Sequence, residues 1–331
     1  LPISEDYKLV THVEEDGATY KFYQNPYAMG MGVVCNENIN SIELSDENPF
    51  ENQNVLYSAL GSKTEVTEYF TRILPIDTDR LNMSSVKLSD EKEHTKYYPT
   101  DPESGEAHID YILEVDRDSD LYMYLPTSYE RSCNVWVLDE EAYQNGDGMM
   151  DFAGQFFVGD DYSILNLGSF LEGEEVRVRI TIDNDDNEAY WIDSLFYTFD
   201  KEQFTEDSAL LQEKSMTVTS LDNTSLEGEC YAEEDGEYLF TTIPDETGWI
   251  VKVNGKEVTT EVSMDSLITI PLEKGENVIT MEFKPTYFTG AIAISIAGLF
   301  IIAVIFLFEF KNGRIIVMLA EKSQKTKKAE K

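Results

Sequence analysis

Residues 291–308 read AIAISIAGLFIIAVIFLF, eighteen positions without a charge, and the uncharged stretch reaches back to Pro285. About twenty apolar residues in a helix cross the ~30 Å hydrocarbon core of a bilayer. A core helix of that character would need a large domain wrapped around it, and only a short polar tail follows. The run is therefore read as a transmembrane helix over 286–310, which makes the bilayer the first partner of the chain.

The charge divides at this point. Residues 1–289 carry 61 acidic and 18 basic side chains, and residues 290–331 carry 3 acidic and 7 basic, within a total of −39. Lys311, Arg314, Lys322, Lys325, Lys327, Lys328 and Lys331 all follow the span. Basic residues next to a span are retained in the cytoplasm. This predicts an extracellular body (1–285) and a basic cytoplasmic tail (311–331), with Tyr287 and Phe288 at the outer interface. So acidic a body excludes general nucleic-acid binding, because phosphate contacts need a basic face. It also repels anionic polymers unless cations intervene. The chain opens at Leu1 without a basic-then-apolar leader and reads as the carboxyl-terminal piece of a longer protein.

The body carries period-two alternation of apolar and polar residues, the mark of antiparallel strands with one wet face. Residues 108–115 put Ile109, Tyr111 and Leu113 on one side, and 134–138 repeat the theme. In 175–182, Val176, Val178, Ile180 and Ile182 oppose Arg177 and Arg179. A second set runs from 215 to 285. Within it, Asn254-Gly255 between two short apolar runs predicts a type I′ hairpin. Ile268, Ile270 and Leu272 form a further strand, and the last strand buries either Val278, Thr280 and Glu282 or Ile279, Met281 and Phe283.

Two helices interrupt the pattern. In one, Asn48 caps, Pro49 opens and Glu51 sits at the third position; Val55, Leu56 and Leu60 form its stripe and Gly61 ends it. The other starts at Asp200 with Gln203 three residues on, and places Phe204 and Leu211 on one face with Leu210 beside them. Residues 77–104 look the most loop-like.

The predicted fold class is mostly β: two β-sandwich domains of jelly-roll or immunoglobulin-like type, a few short helices and one carboxyl-terminal transmembrane helix. The expected divisions are an α/β segment (1–75), a first sandwich (76–200), a bridging helix (201–214), a second sandwich (215–285), the span and the tail.

Catalytic signals are sparse. With 64 acids, paired carboxylates arise by chance, and no Ser/His/Asp grouping, phosphate loop or dinucleotide fingerprint is present. The run from Asp183 through Glu188 offers oxygen ligands for Ca²⁺ but lacks the spacing of an EF-hand loop, and a solvated turn outweighs it. No metal site and no cofactor are expected. Cys35, Cys133 and Cys230 are expected to be small buried hydrophobes. Trp136, Trp191 and Trp249 read first as core residues, with sugar stacking as the other reading. Tyr23, Asn25, Tyr27 and Trp249 are the candidate substrate-binding residues.

Five segments, taken in order, resemble one family. Residues 20–28 (YKFYQNPYA) are similar to the Tyr-x-Asn-Pro-Tyr-Ala segment of YfhO-type bacterial membrane proteins. Residues 48–54 (NPFENQN) resemble that family's Pro-Phe-x-x-Gln-Asn helix, and 248–256 (GWIVKVNGK) its Gly-Trp-x-Val-x-Val-Asp-Gly-Lys hairpin. Leu272, Gly275 and Asn277 fall where the family reads Leu-x-x-Gly-x-His. Asn277 and Asn254, replacing the usual His and Asp, are expected to be turn and surface changes. Phe283-Lys284-Pro285, Gly290 and Ser295 resemble the approach to the last span.

The resemblance implies a polytopic parent with a GT-C-type membrane domain that transfers sugar from a polyprenyl-phosphate carrier to a cell-surface polymer such as lipoteichoic acid. Its catalytic carboxylate would lie upstream of Leu1, so no catalytic residue is carried onto this chain, and whether this piece is itself enzymatic stays open. The implied partners are the upstream membrane domain of the same protein and a cell-wall glycopolymer. The alternative is a non-enzymatic carbohydrate-binding or scaffolding ectodomain on a membrane anchor.

Overall fold

The computed structural model describes residues 6–15, 17–46, 48–87, 95–100, 106–127, 133–146, 150–156, 164–183 and 190–329. In chain order its elements begin with β1 (Lys8–Glu15), β2 (Ala18–Gln24), β3 (Gly32–Cys35), α1 (Pro49–Leu60), β4 (Phe70–Ile73), β5 (Asp77–Leu81), β6 (Met83–Lys87) and β7 (Thr95–Pro99). Next come β8 (Glu106–Glu114), β9 (Ser119–Tyr124), β10 (Cys133–Asp139), α2 (Glu140–Asn145), β11 (Asp151–Phe156), β12 (Leu165–Phe170), β13 (Glu175–Asp183), β14 (Tyr190–Trp191) and β15 (Leu195–Phe199). The rest is α3 (Lys201–Glu213), β16 (Thr217–Asp222), β17 (Ser225–Ala232), β18 (Tyr238–Pro244), β19 (Trp249–Val253), β20 (Lys256–Glu257), β21 (Glu261–Ser263), β22 (Leu267–Pro271), β23 (Gly275–Phe283) and α4 (Phe288–Ala329).

The fold is mostly β. One sandwich faces the five-stranded sheet β11-β10-β13-β8-β5 against the four-stranded sheet β12-β9-β15-β4. Its core holds the alternating residues of 108–115 and 175–182: Ile109, Tyr111, Leu113, Val176, Val178, Ile180 and Ile182 are buried, together with Leu121, Met123 and Phe196 from the facing sheet. A small sheet, β14-β7-β6, closes one edge of this core with Met83 and Tyr97. Residues 77–81, 83–87 and 95–99 are thus strands rather than loop. β5 and β6 escape the apolar pattern because an edge strand is held by its backbone ladder and needs few apolar side chains, while β7, between β14 and β6, sends Tyr97 into the core.

The second sandwich faces β16-β17-β23-β19-β20 against β21-β22-β18-β3. In β23 the choice between the two faces falls on Ile279 and Met281, both fully buried. Strand β3, far upstream in sequence, pairs with β18 and brings Val34 into this core. Asn254 and Gly255 have φ of 52° and 77°, the two positive values a type I′ turn requires, so β19 returns directly as β20. Asn277 is not a surface residue. It is fully buried, accepting from the Glu273 N–H at 3.0 Å and donating to the carbonyls of Glu273 (2.7 Å) and Gly275 (2.9 Å), which ties the β22–β23 turn.

Helices α1 and α3 touch both sandwiches. The Asn48 side chain accepts from the backbone N–H groups of Phe50 and Glu51, capping α1, while its Nδ2 donates to Tyr197 Oη at 2.7 Å. Phe50 stacks on Tyr197 of the first sandwich, and Ala59 and Leu60 at the other end pack with Val33, Cys35 and Phe240 of the second. The stripe differs from the expected one. Val55 and Leu56 are only half-buried, whereas Asn54 and Ser58 are buried because they bond to backbone. Asn54 clasps both backbone groups of Phe70 at 2.9 Å. Gly61 keeps right-handed dihedrals, and the positive φ falls on Ser62 (57°).

Asp200 caps α3, accepting from the Gln203 N–H at 3.0 Å. Phe204 packs edge-on to Tyr69, Leu211 is buried against the second sandwich, and Leu210 is exposed. Asp207 accepts from Tyr69 Oη at 2.8 Å and pairs with Lys63, fixing α3 to the segment after α1.

After β23 the chain turns into α4. Gly290–Gly313 is apolar enough to cross a membrane and none of that window is buried. Twenty-four residues at ~1.5 Å rise give about 36 Å, enough for the hydrocarbon core. The basic tail does not leave the helix, which continues to Ala329.

Candidate functional site

An open groove of about 620 Å³ lies at the start of α3, lined by Arg117, Asp118, Phe199, Lys201, Thr205 and Glu206 among others. Phe199 contributes an aromatic ring to the lining. Arg117 donates to Asp200 Oδ2 at 3.2 Å, and Lys201 pairs with Asp6 at 2.7 Å. Its lining carries hydroxyl, carboxylate and cationic groups, which can hydrogen-bond a hydroxyl-rich molecule in either sense.

The candidate residues from 20–28 reach this region but are occupied structurally. The Asn25 side chain accepts from the Tyr27 N–H at 2.9 Å, making a local turn. The Tyr27 ring packs on Phe204 at 5.2 Å, and its hydroxyl donates to Asp6 and accepts from Thr205. Gln212 of α3 donates to the carbonyls of Pro26 (2.6 Å) and Ala28 (3.1 Å). Tyr23 stands half-buried in the β1–β2 hairpin, opposite Leu9. Trp249 is not with them: it lies on β19 of the second sandwich, its ring 5.0 Å from Phe283.

None of the three tryptophans is a fully buried core residue. Trp136, Trp191 and Trp249 are all half-buried. The three cysteines are buried and free, and burial pushes each thiol up to about 12. Among the described residues no three His, Cys, Asp or Glu side chains are grouped to hold a metal ion. Residues 184–188 of the acidic run lie outside the described residues.

The strongest electrostatic feature was not anticipated. On the outer face of the five-stranded sheet, Asp79, Asp110 and Arg179 stand in register across β5, β8 and β13. Arg177, two residues before Arg179, shares this face and is only 3% exposed. It donates to Asp110 (2.7 Å), to Asp79 (3.1 Å) and through two nitrogens to Glu140 (2.6 and 2.9 Å). Arg179 donates twice to Asp110 at 2.7 Å. Helix α2, capped by Asp139, lies over the cluster and brings Glu140 and the Tyr143 ring, 4.2 Å from the Arg177 guanidinium. The sequence signal was Asp110 inside an apolar strand paired with two arginines on another.

Burial alone would raise the Asp110 carboxyl, but the hydrogen bonds from Arg179 and Arg177 overcome it and hold it below the usual carboxylate range. The Arg177 hydrogen bond likewise lowers Glu140. Arg177 is raised, chiefly by Glu140. Asp110, Glu140, Arg177 and Arg179 are thus each held in the charged form, and these ion pairs act as scaffold. Carboxylates lowered in the folded state contribute stability above their unfolded values, ~4, and that contribution disappears as pH falls through the native values. Acid titration monitored by thermal melting is expected to lower the melting point below pH ~4. Asp110→Asn should flatten that dependence; a slope unchanged by Asp110→Asn would contradict the assignment.

Comparison with known proteins gives the chain its relatives. The family model "Bacterial membrane protein YfhO" matches residues 4–295. The uncharacterized protein YfhO of Bacillus subtilis (strain 168) is 34% identical over 79 residues, which is 24% of this chain and 9% of that protein. Similar solved structures include a family 29 carbohydrate-binding module (12% identity, 41% of this chain and 82% of that one, TM-score 0.26). Others are the module CBM36 in complex with calcium and xylotriose (13% identity, 39% and 99%, TM-score 0.25) and a Paenibacillus cycloisomaltooligosaccharide glucanotransferase (10% identity, 72% and 51%, TM-score 0.24). With two sandwiches and, among the described residues, one apolar membrane-length helix, and with a family match over 4–295, the chain belongs to the YfhO family of bacterial membrane proteins.

Proposed function

We propose that this chain is the extracellular portion, with a final span, of a polytopic membrane glycosyltransferase. The parent would transfer a sugar from a polyprenyl-phosphate carrier to a cell-surface polymer such as lipoteichoic acid. The catalytic groups would belong to the upstream membrane domain, and these sandwiches would cover its mouth and position the acceptor. The observation that carries the reading is the family match from residue 4 to 295 in a chain whose sheets are joined to a membrane-length helix.

Support also comes from the groove at α3, where Phe199 and paired polar groups of both signs suit a polyhydroxylated acceptor. The turn of Asn25 and Tyr27, with Tyr23 just before it, would set that groove's shape through Thr205. The charge of the body argues for contact with sugar hydroxyls rather than with polymer phosphate. The test is deletion of the parent gene followed by composition analysis of every surface polymer. Loss of one sugar from one polymer, restored by the parent gene, is expected. Unchanged sugars throughout would remove the transferase reading and favour a binding or scaffolding ectodomain.

A further inference from the structure

We infer that the end of the second sandwich nearest α4 is itself a lipid-contacting surface, with Trp249 as its anchor in the headgroup layer. The inference stands on the junction between sheet and helix and does not depend on the sugar-transfer reading.

The junction is short and tied down. Trp249 pairs with Phe283 across the β19–β23 ladder, and α4 begins five residues later at Phe288. The intervening backbone is hydrogen-bonded into the β18–β19 connection. Lys284 N–H donates to the Gly248 carbonyl at 2.8 Å, and Thr286 Oγ1 donates to the Thr247 carbonyl at 3.4 Å. Gly248 is there because nothing larger fits: its φ is 133°, and a Cβ would stand 2.6 Å from the Lys284 oxygen. The turn is then closed by Phe288 N–H donating to the Pro285 carbonyl at 3.0 Å. The sheet therefore meets the membrane helix without a slack linker, and whatever lies beside Phe283 lies close to the bilayer.

What lies there is aromatic. Tyr287, just before α4, is 86% exposed, and Phe288, its first residue, 60%. Trp249 is half-buried, packed on one side against the sandwich core and on the other against Phe283. Among the described residues its indole N–H has no protein acceptor. A ring with an apolar body and an unmet donor suits the membrane–water boundary, where Trp and Tyr concentrate. The nearby charges are mixed: Lys284 pairs with Glu282 at 2.8 Å, and Asp245 and Glu246 are exposed. Attraction to anionic lipid would be weak, so the contact is with the interfacial zone of any bilayer, driven by the rings. Strand β19 and loop 245–248 would rest on the surface, fixing the tilt of the body above it.

The test uses the full chain in lipid nanodiscs, with Trp136→Phe and Trp191→Phe leaving Trp249 as the sole tryptophan. Lipids carrying a nitroxide near the headgroup are expected to quench Trp249 emission at least ~2-fold, and lipids labelled deep in the acyl chain less. A chain retaining only Trp136 should be quenched far less. Replacing zwitterionic with anionic lipid should not change the result. Equal, weak quenching of Trp249 and Trp136 would overturn the inference. The unmodified chain supplies the same answer should the double variant misfold: Trp249→Phe must abolish its headgroup-specific quenching, and persistence of that quenching would equally overturn the inference.

Discussion

Arg177→Ala is expected to destabilise the first sandwich by about 3–5 kcal/mol, the range for removing one partner of a buried ion pair. The guanidinium is almost wholly enclosed and is the shared partner of Asp79, Asp110 and Glu140. Its loss leaves Glu140 without its arginine and Asp110 with Arg179 and, farther off, His108. Arg179→Ala should cost less, because Arg179 is about a fifth exposed and water can replace part of what it gives. Trp136, directly opposite Arg179 in the β10–β13 ladder, provides a local fluorescence signal for urea unfolding. An Arg177→Ala midpoint equal to that of the parent would show that the cluster is solvated in solution.

Phe50→Ala is expected to cost a similar ~3–5 kcal/mol. The ring is fully buried, stacked at 4.1 Å on Tyr197 and 5.2 Å from Phe70. The damage should extend beyond the cavity. Phe50 fixes the start of the helix whose far end, at Ala59 and Leu60, packs on the other sandwich. Its removal should therefore loosen both sandwiches, read as a drop in urea midpoint for each. Phe50→Leu, which keeps most of the volume, should recover more than half of the loss. A Phe50→Ala chain that melts with the parent would place the ring outside the load path between the two bodies.

The parts of this architecture legible in the sequence were those governed by local rules. Alternation along 108–115 and 175–182 marked the inner faces of β8 and β13. Asn254-Gly255 marked its turn, and Asn48 and Asp200 marked the helix starts, because caps and tight turns demand particular residues within a few positions. The remainder depended on partners distant in sequence. Strand β5 reads as Asp-Thr-Asp-Arg-Leu and has no apolar face; only its ladder with β8 makes it a strand. Arg177 and Arg179 matched a solvated face, and nothing near them announced that α2 would cover it. Asn54 and Ser58 broke the helix stripe because their bonds go to Phe70 and Thr67. The groove at α3 was missed for the same reason: Arg117 and Lys201 come together only when β9 and α3 are assembled. Asn25 and Tyr27, expected to bind substrate, are seen here in the turn that attaches this segment to α3.

The placement of the three thiols has a consequence for how the layers are held. Cys133 lies in the core of the first sandwich, Cys230 in that of the second, and Cys35 in the layer between β3 and the helices. No two can form a crosslink without dismantling a native layer. Once folded, the three thiols are kept apart from one another and from solvent, so the native layers hold together without a crosslink among them.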